Sequence, residues 1–297
     1  MLTATPISAA VATPRHEPLP ALPGRYSFSA GRPLLTILSG TALAAWLWTL
    51  SGGSTLPAWL LSLSVLGLLA LGSLWAPAGV HGRVLLAGPA DALPPRVALT
   101  FDDGPDPQTT PQVLAVLAQH DVRATFFVIG ERARRHPRLV AEMAAAGHQI
   151  ENHSLRHAWT TAFADPNRLQ AELEQTQQII AVATGRRPTW FRPPIGILSP
   201  PVAQAAAALG LRLVGWSSKA RDGWASTTPA DALSRLRRAL RPGAILLLHD
   251  APERPAPAAV PPLAVPILQA LLPELAARGL HPVPLDDLLV GSAGDRS

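Results

Sequence analysis

The stretch Val97-Ala98-Leu99-Thr100-Phe101-Asp102-Asp103-Gly104-Pro105 runs a β-prone, mostly apolar segment straight into two adjacent carboxylates. Val97 to Phe101 have the composition of a strand buried on both faces. Gly104-Pro105 stops it, which leaves Asp102 and Asp103 at the C-terminal end of the strand. In a parallel α/β sheet or barrel, that end carries the chemistry. Neighbouring carboxylates repel, so one is driven toward its neutral form unless cations hold both as anions. A plain surface turn is the competing reading, and the presence of suitable cations downstream decides between them.

Such groups follow. His153-Ser154-Leu155-Arg156-His157 places two imidazoles at i, i+4 just after a predicted strand. On a helical turn that spacing puts both rings on one face, with Asn152 and Ser154 placed to orient them. Surface histidines are the alternative for the pair taken alone. With Asp103 they make a two-histidine, one-carboxylate set with open positions. That set suits Zn²⁺, and also Mn²⁺, Co²⁺ or Fe²⁺. Phe191-Arg192-Pro193-Pro194-Ile195-Gly196 then offers an arginine stiffened by prolines, a partner for Asp102, with an ordinary loop arginine as the plainer reading. Leu246-Leu247-Leu248-His249-Asp250 is a buried strand ending in a histidine with general-acid character.

The chain of 297 residues has length for one large domain or two smaller ones. It holds no cysteine, which excludes disulfides and thiolate chemistry. The formal charge of +5 is carried almost wholly by arginine, since Lys219 is the only lysine. The basic residues are scattered, without the aromatic-interleaved clusters of a nucleic-acid groove. A lipid bilayer with anionic headgroups is the more natural partner.

Residues 1–33 read as a disordered tail. Leu34 to Leu50 and Ala58 to Trp75 are free of charge, each near the lower limit of about 17 residues for a span. Trp46, Trp48, Trp59 and Trp75 fall toward the segment ends. Residues 34–77 are therefore expected to form a transmembrane helical hairpin, with a buried soluble helix pair and a cleaved signal peptide as alternatives. Arg15, Arg25, Arg32, Arg83 and Arg96 flank the pair, so positive charge puts both ends on the cytoplasmic side. Residues 78–95 read as a linker and 291–297 as a C-terminal tail. Between them, residues 96–290 alternate strand and helix, which predicts an α/β domain with a parallel sheet or barrel. Strands are expected at Val97–Phe101, Ala124–Ile129, Gln149–Asn152, Thr189–Phe191, Leu211–Trp216, Ala244–Leu248 and His281–Leu285. Pro252 to Pro266 reads as a surface loop. The remaining histidines (His16, His81, His120, His136, His148, His281) are taken as surface or loop residues. Trp159 and Phe163 are read as packing, with a sugar groove as the alternative.

Taken in order, the DDGP segment, His153 to His157, Arg192 to Gly196 and Leu247 to Asp250 resemble the motifs of the NodB-type polysaccharide deacetylases, carbohydrate esterase family 4. The resemblance covers about residues 96 to 290. It implies a distorted, incomplete TIM-like (β/α) barrel of about seven strands behind the two-helix hairpin. It also implies hydrolytic removal of N-acetyl groups from an N-acetylglucosamine-type glycan or glycolipid with one divalent metal ion, Zn²⁺ first among those named above. Residue by residue, it implies that Asp103, His153 and His157 hold the metal, Asp102 is the general base and Arg192 pairs with it. His249 is the implied general acid, tuned by Asp222. Leu247 or Leu248 lines the acetyl pocket, Trp224 is a further lining residue, and the Ile195 N–H faces the oxyanion. Two departures stand out: Ile195 replaces the usual aromatic residue, and Gly223 separates Asp222 from Trp224. Relaxed motifs of this kind look like those of membrane-associated relatives acting on lipid-linked amino sugars, deformylases included; with the hairpin, the expected location is the bacterial inner membrane, multi-pass, beside a polyprenyl-linked substrate. A catalytically inactive, membrane-tethered glycan-binding protein is the non-enzymatic alternative. A non-haem Fe(II) oxygenase is the other enzymatic one, and it leaves Asp102, Arg192 and His249 without roles.

Overall fold

Side-chain alternation along the strand Arg96–Asp102 divides this molecule into an inside and an outside. The computed structural model describes residues 22–26, 31–74, 80–223, 226–252 and 262–290. The first elements are β1 (Arg25–Tyr26), α1 (Gly31–Leu50), α2 (Leu56–Leu74), β2 (Val84–Ala87), β3 (Arg96–Asp102), α3 (Thr110–Gln119), β4 (Thr125–Val128), α4 (Gly130–Arg135), α5 (Pro137–Ala145) and β5 (Gln149–Asn152). They are followed by α6 (Pro166–Thr184), β6 (Trp190–Phe191), α7 (Pro200–Ala208), β7 (Arg212–Val214) and β8 (Ser218–Lys219). The last are α8 (Pro229–Arg237), β9 (Ile245–His249), α9 (Ala264–Ala277), β10 (His281–Val283) and α10 (Leu285–Leu288).

The strands form one sheet in the order β1-β2-β7-β6-β5-β4-β3-β9-β8, with β10 against β3. Every pair is parallel except β1 with β2. The sheet curls into a partial barrel: β2 reaches across to β9 through the bridge Ala87↔Ala244. Ser217 seals this seam, donating through its hydroxyl to the Leu86 carbonyl and accepting from the Ile245 N–H. Gly243 sits there at φ +79, where a Cβ would lie 2.4 Å from the Gly88 carbonyl oxygen. Only glycine permits that approach.

Outward-facing Val97, Leu99 and Phe101 of β3, Phe126 and Val128 of β4, and Leu246 and Leu248 of β9 pack under the helices in the largest core cluster. Burying a side chain of this size stabilises the fold by about 1.5–3 kcal/mol. Inward-facing Ala98, Phe127, Trp190 and Ile245 fill the barrel with Leu285 and Leu288 of α10. Local signals fix the helix ends: Asp165 accepts from the Asn167 and Arg168 N–H groups at the start of α6, and Gly185 at φ 72 ends it.

All seven expected strands are present: β4, β5, β6, β7 and β10 lie within the expected ranges, β3 extends one residue beyond each end, and β9 is shifted by one residue. Three others, β1, β2 and β8, were not expected. Val84–Ala87, assigned to a linker, is β2, paired with β7 and largely buried. Arg25–Tyr26, assigned to the tail, pairs with β2 as β1. The expected hairpin is also modified. α1 begins at Gly31, and it alone among the described helices is long and apolar enough to cross a membrane, over Pro33–Leu50. The apolar part of α2, Leu56–Gly72, is shorter. The two helices pack together, with the Trp46 and Trp59 rings edge to face at 5.2 Å, while much of their leucine surface is exposed. Gly72 of α2 lies against Val80, and the His81 ring bonds the Leu69 carbonyl. His81 is thus buried, contrary to expectation, and so is His148, whose Nδ1 accepts from the Ala124 N–H. Burial, helped by Arg123, lowers the His148 pKa to about 4. Trp159 and Phe163 depart the other way: 70% and 78% exposed, they are not packing residues. The C-terminal tail, Trp75 and most of the expected Pro252 to Pro266 loop lie outside the described residues.

Candidate active site

The C-terminal ends of β3, β5 and β9 open on a cleft of about 200 Å³, lined by Asp102, Asp103, His153, His157, Leu247 and His249 among others. Parallel register sets Asp102 level with His249 on β9 and with Phe127 on β4. Asp102 continues the inward face of β3. Asp103 turns off it at φ 78.

Arg192, fully buried at the end of β6, organises the inner wall. Its Nη1 donates to Asp102 Oδ1 at 2.7 Å and to Thr100 Oγ1 at 2.9 Å, and its Nη2 to the Gly215 carbonyl at 2.9 Å. The guanidinium also lies over the Phe127 ring at 4.2 Å. Burial lowers the Arg192 pKa, and the Asp102 charge opposes that change.

Asp103 faces both imidazoles, with its Oδ1 3.5 Å from His153 Nε2 and 3.3 Å from His157 Nε2. That oxygen is buried without a hydrogen-bond partner. Burial alone would raise the Asp103 carboxyl; the facing His153 ring, with the His249 and His157 imidazoles behind it, holds it well below the usual carboxylate range. His153 is pulled in both directions: burial disfavours its charge, yet Asp102 and Asp103 raise its pKa overall. One ligand atom from each of Asp103, His153 and His157 falls within 4.8 Å of the others, so the trio could hold a metal ion. A buried orphan oxygen beside two nitrogen donors fits a divalent cation.

The segment after β5 is not the helical turn expected from the i, i+4 spacing. It is a loop with Ser154 at φ 67 and His157 at φ 55. Side chains replace the helical bonds: the Ser154 N–H donates to Asn152 Oδ1 and the His157 N–H to Ser154 Oγ. The rings still stand 4.9 Å apart. Asn152 and Ser154 shape this loop through the two bonds above, and His153 Nδ1 bonds the Arg192 carbonyl at 2.7 Å. Among the described residues, six non-glycine positions have positive φ; four of them (Asp103, His157, Ile195, Arg221) line the cleft and a fifth, Ser154, follows the lining residue His153. Strained backbone concentrates where geometry is imposed for function.

Asp222 grips His249 twice, accepting from its N–H at 2.9 Å and from its Nδ1 at 2.7 Å. Burial disfavours the charged His249 ring. The Asp222 bond and charge, with smaller help from Asp103 and Asp102, outweigh it and raise the pKa to about 9.

Leu247 lines the cleft, but Leu248 does not: strand alternation turns it into the outer core. Ile195 lines the cleft mouth at φ 51 and is 54% exposed. Trp224 lies outside the described residues. Trp216, Lys219 and Arg221 were not predicted as site residues, yet they also line the cleft. Thr100 was missed although it lies two residues before Asp102 on the same strand face. Asp250 was missed as well; it is fully buried and bonds the Gly104 N–H and Thr110 Oγ1, fastening the turn that carries Asp103. Burial raises its pKa to about 7.

Residues 90–214 match the family model described as polysaccharide deacetylase. The chain is 40% identical over 196 residues to the chitooligosaccharide deacetylase of Bradyrhizobium sp. (strain ANU 289), covering 63% of this chain and 89% of that protein. It is 34% identical to a peptidoglycan-N-acetylglucosamine deacetylase of Bacillus cereus, covering 65% and 87%. Among solved structures, a family 4 acetyl xylan esterase from Clostridium thermocellum in complex with a cobalt ion aligns with a TM-score of 0.57 at 34% identity, over 65% of this chain and 89% of that one. A relative matched over nearly its whole length at this identity shares ancestry and fold with this chain, which thus belongs to the polysaccharide deacetylases of carbohydrate esterase family 4, a family of hydrolases.

Proposed function

We propose that this chain hydrolyses the acetamido group of an N-acetylglucosamine-type glycan, with Asp103, His153 and His157 as the ligands of one divalent ion, Zn²⁺ foremost. The observation that carries the reading is the meeting of three units in one cleft: the orphan Asp103 oxygen with two imidazoles, Asp102 clamped by Arg192, and His249 clamped by Asp222. The names of the Bradyrhizobium and Bacillus relatives, on chitooligosaccharide and peptidoglycan, support the substrate class. A divalent ion at these three groups supplies Lewis acidity, acidifying water and polarising the amide carbonyl. Asp102 takes a proton from water as its oxygen bonds to the carbonyl carbon. Ile195, at the cleft mouth, presents its backbone toward the developing oxyanion. His249 gives its proton to the amine nitrogen as the C–N bond breaks, leaving acetate and a free amino sugar. Leu247 meets the acetyl methyl. A glycan-binding protein without turnover needs neither Asp102 nor His249. The chain divides into a helical pair at 34–77 and a deacetylase unit built on 96–290, to whose sheet β1 and β2 add from either side of the pair. The exposed apolar surface of α1 and α2 favours attachment to a bilayer, and with it a lipid-linked amino sugar, N-acetylated or N-formylated, as the second reading of the substrate.

Acetate release from an N-acetylglucosamine oligomer tests the proposal. Stripping the protein with a chelator is expected to lower the rate at least about tenfold, with recovery on adding Zn²⁺, Co²⁺ or Mn²⁺. Full activity after complete metal removal overturns it, and formate release from an N-formyl sugar, without acetate release, selects the second reading.

A pH dependence follows from the Asp222 clamp. With its pKa raised to about 9, His249 keeps its proton through neutral pH and loses it as the pH rises through that value. The rate is expected to fall on the alkaline side near there. Asp222→Asn removes the main group raising that pKa, so the alkaline limb moves to lower pH, by about one unit for each 1.4 kcal/mol of lost interaction. An unmoved limb means that another group donates the proton.

A further inference from the structure

The β8 side of the cleft takes no part in the hydrolysis set out above. Lys219, the only lysine in the chain, lies there with Arg221 and Trp216. Its register partner on β9 is Leu247, which also lines the cleft. The Lys219 ammonium stands 5.3 Å from the centre of the Trp216 ring, which steadies the side chain toward the cavity.

This lysine is electrostatically uncompensated. Burial and then the Arg221 charge disfavour its ammonium form, and no carboxylate among the described residues acts against them. The nearby cleft carboxylates are committed elsewhere: Asp102 to Arg192, Asp222 to His249, and Asp103 to the imidazoles. Two cations sharing a partly buried wall repel each other, and a ligand anion relieves that repulsion.

We propose that Lys219, with Arg221 beside it, forms a subsite for an oxyanion of the glycan, a carboxylate or a phosphate ester, close to the acetamido group being hydrolysed. The subsite rests on the deacetylase reading and deepens it: the substrate is an acidic amino-sugar glycan. Lys219 acts in selection and touches none of the reacting atoms. Trp216 gives the neighbouring sugar ring an apolar face while the two cations read its charge.

The test uses the full chain and three N-acetylated oligosaccharides of equal length. One is a neutral N-acetylglucosamine oligomer, one carries lactyl carboxylates on alternate residues, and one carries a phosphate at the reducing end. Wild-type kcat/KM is expected to favour at least one acidic substrate over the neutral one by about tenfold, as one charge-assisted contact provides. The favoured one identifies the source of the oxyanion. Lys219→Gln should collapse that preference, mainly through KM, and Lys219→Arg should keep most of it. A structural role for Lys219 lowers all three substrates alike and moves no ratio. Turnover that ignores charge in the wild type, or a Lys219→Gln loss equal on neutral and acidic substrates, overturns the subsite alone. No acetate from any of the three overturns the deacetylase reading and the subsite with it.

Discussion

Asp102→Asn is expected to cut kcat about 10²–10⁴-fold, the range for losing a general base, while the protein keeps its metal. Asparagine has the shape of the carboxylate, and its oxygen can still accept from Arg192 Nη1, now 2.7 Å from Asp102 Oδ1. It cannot take a proton. The proposed ligand set is untouched, because the orphan oxygen facing both imidazoles belongs to Asp103. Asp102 Oδ2 is farther from the ring nitrogen, at 3.8 Å from His153 Nε2. Elemental analysis of the variant should find about as much metal as in the wild type, beside a collapsed turnover. Parallel loss of both would mean that the roles of the two aspartates are exchanged.

The largest stability effect is expected at Arg192. Changing it to methionine leaves Asp102 charged, buried and without its partner, and breaking such a pair costs about 3–5 kcal/mol. Thr100 Oγ1 and the Gly215 carbonyl lose their donor at the same time. Urea denaturation of Arg192→Met measures the loss. Adding Asp102→Asn to the same chain should recover part of it, since the stranded charge is then gone. A loss below about 1 kcal/mol, the scale of an exposed ion pair, would contradict the buried geometry.

Why some of this could be read from the residues and some could not has physical causes. β3 and β9 announce themselves, because a run of four or five mostly apolar residues ends abruptly on polar groups. β1 and β8 have two residues each, too few for any period. β2 is short and set among glycine and proline, the usual marks of a linker. The spacing of His153 and His157 suggested a helix, yet their approach comes from two left-handed residues and the Asn152 and Ser154 side chains. Only the folded chain shows that the Arg192 carbonyl steers the His153 ring. Leu247 and Leu248 were indistinguishable until His249, two residues past Leu247, was seen to share the inner face. Buried His148 looked like a loop residue because its partner, the Ala124 N–H, comes from another part of the chain.

The polypeptide leaves the curled sheet at β1, passes through α1 and α2, and returns at β2 as the antiparallel neighbour of the strand it left. The return from α2 is tied down at once: Gly72 lies against Val80, and the His81 ring bonds the Leu69 carbonyl. The end of α2 is therefore pinned to the stretch of chain that re-enters the sheet. A stem fixed in this way carries the exposed leucine surface of the pair along with the sheet.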